Sequence, residues 1–211
     1  MRTHVRGPVR GQRAVDRAGA HRAGALRHAD PLHDRRSFSL NMPEQMEPLL
    51  LPALCAHLQQ HAPLVQVRSA SLHWADLRRE LTLGRVDLAV EIARPTDAEL
   101  RQQVLLQDPL CVMVGPSFSG ELTAERYLAC EHVAVTSRRR GICVEDLALG
   151  HLGLARQVRQ RCQHYLSAAL LVAHTPLLLS LPRRYARTCS NMRRWCRCAA
   201  PVCTGPSCAV S

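Results

Sequence analysis

The chain is predicted to be an α/β protein built on parallel sheets, and three observations carry that prediction. Strand-like and helix-like periods alternate from Ser37 to Ile92, a second and smaller α/β run opens at His132, and the strong positive charge lies mostly outside both. Strand, helix, strand, helix, strand at these lengths leaves room for crossover helices, which parallel strands require.

The charge pattern separates the ordered middle from the ends. Of 211 residues carrying a formal +11, residues 1–36 hold nine Arg against three Asp, a net of +6. Residues 37–186 hold fifteen Arg against fourteen acids, a net of +1, and residues 187–211 hold four Arg and no acid, a net of +4. The middle is an ordinary, nearly neutral domain, and the basicity belongs to the ends. Lys is absent while Arg and Ala abound, a bias that fits a GC-rich gene better than phosphate binding.

Residues 1–36 are rich in Arg, Ala, Gly and His without a sustained apolar period, so the expectation there is a disordered basic segment. No aromatic residue accompanies the Arg to stack on bases, which argues against a nucleic-acid arm. Ser37-Phe38-Ser39-Leu40 alternates as a strand. Pro43 suits a first helical turn, with Glu44 and Glu47 at the positive end of the dipole, and Met46, Leu50, Leu54 and Leu58 recur every four residues. The predicted helix covers 43–61 and stops at His61-Ala62-Pro63.

Leu64 to Val67 is a second strand. Trp74 to Leu83 reads as a helix with Trp74, Leu77 and Leu81 on one side, and Gly84 suits its C-terminal cap. Val86, Leu88, Val90 and Ile92 form a third strand with small Ala89 on the opposite face. After the polar break at Arg94-Pro95-Thr96-Asp97 come Val104-Leu105-Leu106 and Leu110 to Val114. Thr123 is an N-cap for a short helix through Leu128. His132 to Val135 opens the second unit, Glu145 to Leu149 is helical, Leu154 to Val158 extended, Tyr165 to Val172 strongly apolar, and Leu177 to Leu179 leads into Pro182 and Ala186. Beyond that the period is lost, and residues 187–211 are expected to be a disordered Cys/Arg-rich tail.

The wording and order of these elements are similar to a known family. Phe38-Ser39-Leu40, Leu51-Pro52-Ala53-Leu54, His61-Ala62-Pro63, the run from Leu81 to Val90, Leu122-Thr123 with Tyr127, and Leu181-Pro182 carry the likeness. Residues 37–186 resemble the effector-binding domain of LysR-type transcriptional regulators, particularly the branch that senses aromatic compounds or flavonoids. The resemblance implies a two-lobed fold of periplasmic-binding-protein type, with lobe one at about 37–114, lobe two at about 115–175 and a return segment at about 176–186. It also implies a small-molecule effector, an aromatic acid or related compound, bound between the lobes, and a homodimer or pairing with a full-length sibling. The family's winged helix-turn-helix and final strand and helix have no counterpart in the wording here. Incomplete at the C-terminus, with both ends read as out-of-frame translation, the chain is not expected to bind DNA by itself.

Ligands in open α/β sheets bind outside the carboxyl ends of strands, near helix N-termini. That rule selects Asn41, Met42, Pro43 and Gln45 after the first strand, Glu91 at the third, and Thr136 and Ser137 after His132 to Val135. The resemblance adds His174 and Thr175. Each has a plainer role open to it: Asn41 as a helix cap, Thr136 and Ser137 as a polar turn, Glu91 as a solvated strand end. Arg138-Arg139-Arg140 is either a carboxylate attractor or a solvated loop.

Catalysis finds no support. His57, His61, His132, His151, His164 and His174 show no spacing that sets a nucleophile or metal partner beside them, and there is no Gly-rich phosphate loop or G-x-S-x-G elbow. Cys143 and Cys162 stand in apolar contexts where thiols are inert. Of ten Cys, five (Cys189, Cys196, Cys198, Cys203, Cys208) crowd the last 23 residues without zinc-site spacing. No catalytic residue, metal or cofactor is expected. With no apolar leader and no membrane-length run in the sequence, the expected address is cytoplasmic, with no membrane partner. Two alternatives stay open, a non-functional truncated or frame-shifted remnant of such a regulator and a solute-binding protein.

Overall fold

The computed structural model describes residues 10–17, 32, 35–92, 100–136, 143–192 and 197–199. The chain divides into two compact units, Gly11–Gln107 and Asp108–Ser211 with Met1–Arg10. The division at Gln107 falls ahead of the boundary near 114 expected from sequence. Among the described residues no helix is long and apolar enough to cross a membrane.

The first unit holds β1 (Arg10–Arg17), β2 (Ser37–Asn41), a 3-10 turn (Glu44–Met46), α1 (Glu47–His61), β3 (Gln66–Ala70), α2 (Trp74–Thr82), β4 (Leu88–Ile92) and β5 (Leu100–Asp108). Its sheet runs in the order β3-β2-β4-β1-β5, with β2 parallel to both β3 and β4. Successive residues of β4 point to opposite faces, and both faces are covered. Ala89 joins Leu77, Leu81, Val86 and Leu100 beneath α2, while Val90 joins Leu40, Met42 and Met46 beneath α1. Burial on both faces is what a parallel strand demands, and it explains why this segment is apolar almost throughout.

The predicted helix 43–61 begins differently. Pro48 lacks the N–H that an α-helix starting at Glu44 would need, so the chain tightens into the 3-10 turn and the α-helix starts at Glu47 with proline in its first turn. Gly84, at φ +68°, ends α2 in the left-handed conformation its missing Cβ permits. The chain is then pinned to β2 from two directions: Asp87 N–H donates to the Ser39 carbonyl at 2.9 Å, and Ser39 N–H donates to Asp87 Oδ2 at 2.9 Å.

Two stretches expected to be disordered carry secondary structure. β1 pairs antiparallel with β4, from Gln12 opposite Ile92 to Asp16 opposite Leu88. Its residues have no strand period to read; the ladder satisfies backbone groups of β4 that would otherwise lack partners. At the other end, α6 (Arg183–Met192) continues six residues past Ala186, and β10 (Arg197–Ala199) pairs with β6 (Leu110–Val114).

The second unit adds α3 (Ala124–Ala129), β7 (Glu131–Val135), α4 (Val144–Gly150), β8 (Gln157–Cys162), α5 (Tyr165–His174) and β9 (Leu178–Pro182). Its sheet order is β10-β6-β9-β7-β8; β9 is parallel to β7 and antiparallel to β6. One face packs Cys111, Met113, Val133, Leu179 and Leu181 against α5 and α6. The other packs Val112, Val114 and Leu178 against Tyr127 of α3 and Leu149 of α4. Asp108, buried where the chain enters this unit, accepts the Arg184 N–H at 3.2 Å, and Pro109 accepts that of Arg183 at 2.9 Å. Those two bonds start α6 immediately after β9, satisfying amides that a helix start leaves open.

Gly115 follows β6 against the last turn of α5, where a Cβ would lie 2.2 Å from the Val172 carbonyl oxygen. Backbone cannot give way as a flexible side chain can. Gly115→Ala is expected to cost about 2 kcal/mol or more in urea denaturation. Gly150→Ala, in α4, where a Cβ meets nothing within 4 Å, should instead be neutral or gain up to about 1 kcal/mol.

Candidate functional site

In the first unit β2 leads through α1 to β3 on one side, and β3 returns through α2 across β2 to β4 on the other. Right-handed crossovers then place α1 and α2 on opposite faces, and the two core clusters show that they do. The strand order therefore reverses between β2 and β4, which makes their carboxyl ends a topological switch point. Asn41 ends β2 there, and Met42, Pro43 and Gln45 follow directly. Glu91 comes one residue before the end of β4.

Asn41 is 1 % exposed and uses both ends of its amide. Its Oδ1 accepts the Leu72 N–H at 2.7 Å, and its Nδ2 donates to Glu91 Oε1 at 3.3 Å. It does not cap α1; it ties the loop before α2 and strand β4 to the end of β2. The Met42 N–H donates to the Ala70 carbonyl at 3.0 Å, closing the same edge from β3, and Ser69 donates to Glu47 in the first turn of α1. Met42 and Gln45 are buried, while Pro43 and Glu91 are half-buried. These five predicted residues thus share one edge, with a carboxylate held in place and an adjoining buried amide.

The second unit repeats the arrangement. β7 leads through α4 to β8, and α5 returns across β7 to β9, so the order reverses between β7 and β9. Thr136 stands at that carboxyl edge, its N–H donating to the Cys162 carbonyl at 2.8 Å. Ser137 and Arg138 to Arg140 lie outside the described residues. His174 and Thr175 end α5 at the opposite edge of the sheet: Thr175 lies beside Gly115, past the end of β6, and β6 runs antiparallel to β9. The Thr175 hydroxyl donates back to the Leu171 carbonyl at 2.7 Å. In this unit, then, Thr136 does not share an edge with His174 and Thr175.

The LysR substrate-binding domain model matches residues 33–201. The chain belongs to the LysR substrate-binding domain family. Among relatives, it is 31 % identical over 174 residues to the HTH-type transcriptional activator NahR of Pseudomonas putida, covering 78 % of this chain and 57 % of that protein. It is 26 % identical over 163 residues to the activator NagR of a Ralstonia species, covering 76 % and 54 %. The chain spans about half the length of these curated relatives. Among solved structures, a probable transcriptional regulator of Pseudomonas aeruginosa, PA0477, superposes with a TM-score of 0.74 at 27 % identity, over 85 % of this chain and 64 % of that one. The regulatory domain of MexT, from the same organism, shares the fold at a TM-score of 0.70 and 17 % identity, over 82 % and 85 %. The two-unit α/β architecture is thus that of LysR regulatory domains.

Inside this LysR domain lies a polar cluster that no sequence spacing announces. Arg156, its side chain 2 % exposed, donates from Nε to Asp146 Oδ1 at 2.6 Å and lies 3.7 Å from Glu145 Oε2. Its Nη1 reaches the Tyr127 hydroxyl and the Ser180 hydroxyl, both at 3.4 Å, and those two hydroxyls bond each other at 3.0 Å. Asp146 also accepts the Cys143 N–H at 3.1 Å. Burial alone would raise the Asp146 carboxyl, but the bond from Arg156 and its charge hold it below the ordinary carboxylate value. Cys143 is pushed up by burial and by the acids of α4, which leaves it an inert thiol. Among the described residues no group of three or more His, Cys, Asp or Glu is placed to hold a metal.

His132 of β7 packs edge-on against Tyr127, with ring centroids 4.5 Å apart, and is fully buried. Its Nε2 lies 2.8 Å from the Tyr127 carbonyl, so Nε2 carries the proton and donates; Nδ1 keeps a buried lone pair with no partner. Burial lowers its pKa from 6.5 to about 4, helped by nearby Arg156 and opposed by the bond to Tyr127 and by Asp146. Above pH 6.5 folded and unfolded chains both hold the ring neutral. Between 6.5 and about 4 the unfolded chain takes up a proton that the folded one refuses, so stability falls as pH falls. The loss is on the order of 3 kcal/mol across that window. Urea midpoints measured from pH 7.5 to 5 should decline in the wild type and decline distinctly less in His132→Gln; equal slopes would remove His132 as the cause.

Proposed function

We propose that this chain is the effector-sensing domain of a LysR-type transcriptional regulator, and that its ligand is a small organic acid, of the aromatic class in particular. The observation that carries the reading is the paired switch points: each unit presents polar groups at the carboxyl edge where its strand order reverses, Asn41, Gln45 and Glu91 in one and Thr136 in the other. In the first unit Gln45 supplies a neutral donor for a carboxylate, and Met42 supplies an apolar wall for a ring. Glu91, held by Asn41, admits a ligand with a donor on its far side and disfavours a second acid group there. His174 and Thr175, at the opposite edge of their sheet, are left out of the proposed contacts.

Sensing on this reading is a population shift: the ligand stabilises one conformation of the domain, and that changes how copies of the chain pair. The names of the relatives, all transcriptional regulators, support regulation and not catalysis. We assign the chain a cytoplasmic place and pairing with a second copy of itself.

A panel of small aromatic carboxylates screened by thermal shift and then by calorimetry tests the proposal. At least one member should raise Tm, and Gln45→Ala should weaken its binding about ten-fold or more, the worth of a hydrogen bond to a charged group. Absence of binding across the panel, or binding indifferent to that variant, would falsify the assignment.

A further inference from the structure

The last two turns of α1 carry His57 and His61 with their rings stacked on the exposed side of the helix, centroids 4.2 Å apart and planes 21° from parallel. From sequence the pair gives no metal signal, because no third ligand accompanies it. Four residues apart on a helix is nevertheless the spacing that brings two imidazoles over one another and lets both reach one cation. A second observation concerns the tautomer. His61 Nδ1 lies 2.9 Å from the His57 carbonyl oxygen, and since a carbonyl only accepts, Nδ1 carries the proton. Nε2 of His61 is left as a lone pair on an exposed ring. A backbone acceptor fixing one ring nitrogen so that the other can ligate is the arrangement metal-binding histidines use.

We propose that His57 and His61 form a surface site for a first-row transition-metal dication of the nitrogen-preferring kind, such as Ni²⁺, Zn²⁺ or Cu²⁺. Metal–imidazole bonds of about 2.1 Å place two nitrogens on adjacent coordination positions about 3 Å apart. Rings already stacked at 4.2 Å need only a small swing to reach that separation. Neither ring is buried, so binding costs little desolvation. Water fills the remaining positions, because among the described residues no third His, Cys, Asp or Glu joins the pair. The spacing His57-Leu58-Gln59-Gln60-His61 lacks the glutamate that would act as a general base in a hydrolytic zinc helix, so the site binds without catalysing hydrolysis. A cation bridging the last two turns would also clamp the C-terminal end of α1. The site stands apart from the effector reading and does not depend on it.

Titration of the reduced full chain with Ni²⁺, followed by paramagnetic broadening of backbone amide signals and by calorimetry, tests it. Signals of residues 54–62 should broaden first. His57→Gln and His61→Gln should each weaken this event by about ten-fold or more, as expected when a chelate becomes a single ligand. Both side chains are exposed, so both variants should keep the wild-type amide spectrum without metal. Broadening that begins elsewhere, or an affinity unchanged in either variant, overturns the site.

Discussion

Parallel pairing of β2 with both of its neighbours is the constraint from which the first unit follows. It sends the carboxyl ends of β2, β3 and β4 to one edge. It also requires a helix for each connection, and handedness then sends the two helices to opposite faces. Helices leaving to opposite faces open a crevice beyond the carboxyl ends of β2 and β4, strands that are themselves paired. Backbone direction thus decides where polar groups at strand ends accumulate, and Asn41, bonded to the loop before α2 and to β4 at once, holds that edge together.

The second unit reaches the same layout with a different fastening. Where the first uses one neutral amide, the second buries a guanidinium among two carboxylates and two hydroxyls. An ion cluster of this kind contributes little net stability, because desolvation offsets most of the attraction. Its consequence is orientation. Arg156, just ahead of β8, fixes α4 through Asp146, α3 through Tyr127 and β9 through Ser180, so those elements have one mutual arrangement that satisfies every group. Among the described residues, the Nδ1 of His132 is the buried side-chain polar atom left without a partner.

Legibility in the sequence followed the strength of the apolar period. Leu77 and Leu81 announced α2 within a residue of its end, Leu110 to Val114 marked β6 outright, and Thr123 located α3 by its capping chemistry. The extended run expected over Leu154 to Val158 starts three residues ahead of β8, because Gln157-Val158-Arg159-Gln160-Arg161-Cys162 is a largely polar edge strand with no alternation to read. β1 lies in a stretch with no strand period, so nothing in the sequence announces its pairing with β4. In α6, Tyr185, Ala186 and Cys189 form a buried helical face, but the surrounding Arg masked it. The carboxyl-end rule puts Asn41, Gln45, Glu91 and Thr136 at strand ends because it depends only on strand direction. The Arg156 cluster stayed hidden, since its members are as many as 53 residues apart and no local spacing connects them.

The place of β9 has a consequence for how the protein is made. All five of its residues are buried, and it lies between β6 and β7, which precede it by tens of residues. A ribosome delivering the chain from its N-terminus releases both flanking strands well before the one that joins them. Until residues 178–182 emerge, β6 and β7 wait with unpaired backbone edges and bare apolar faces. The second unit therefore condenses late and through long-range contacts, which slows folding, whereas β2, α1, β3, α2 and β4 can assemble in the order they appear. Its nascent form is the stage at which this protein would most need a chaperone.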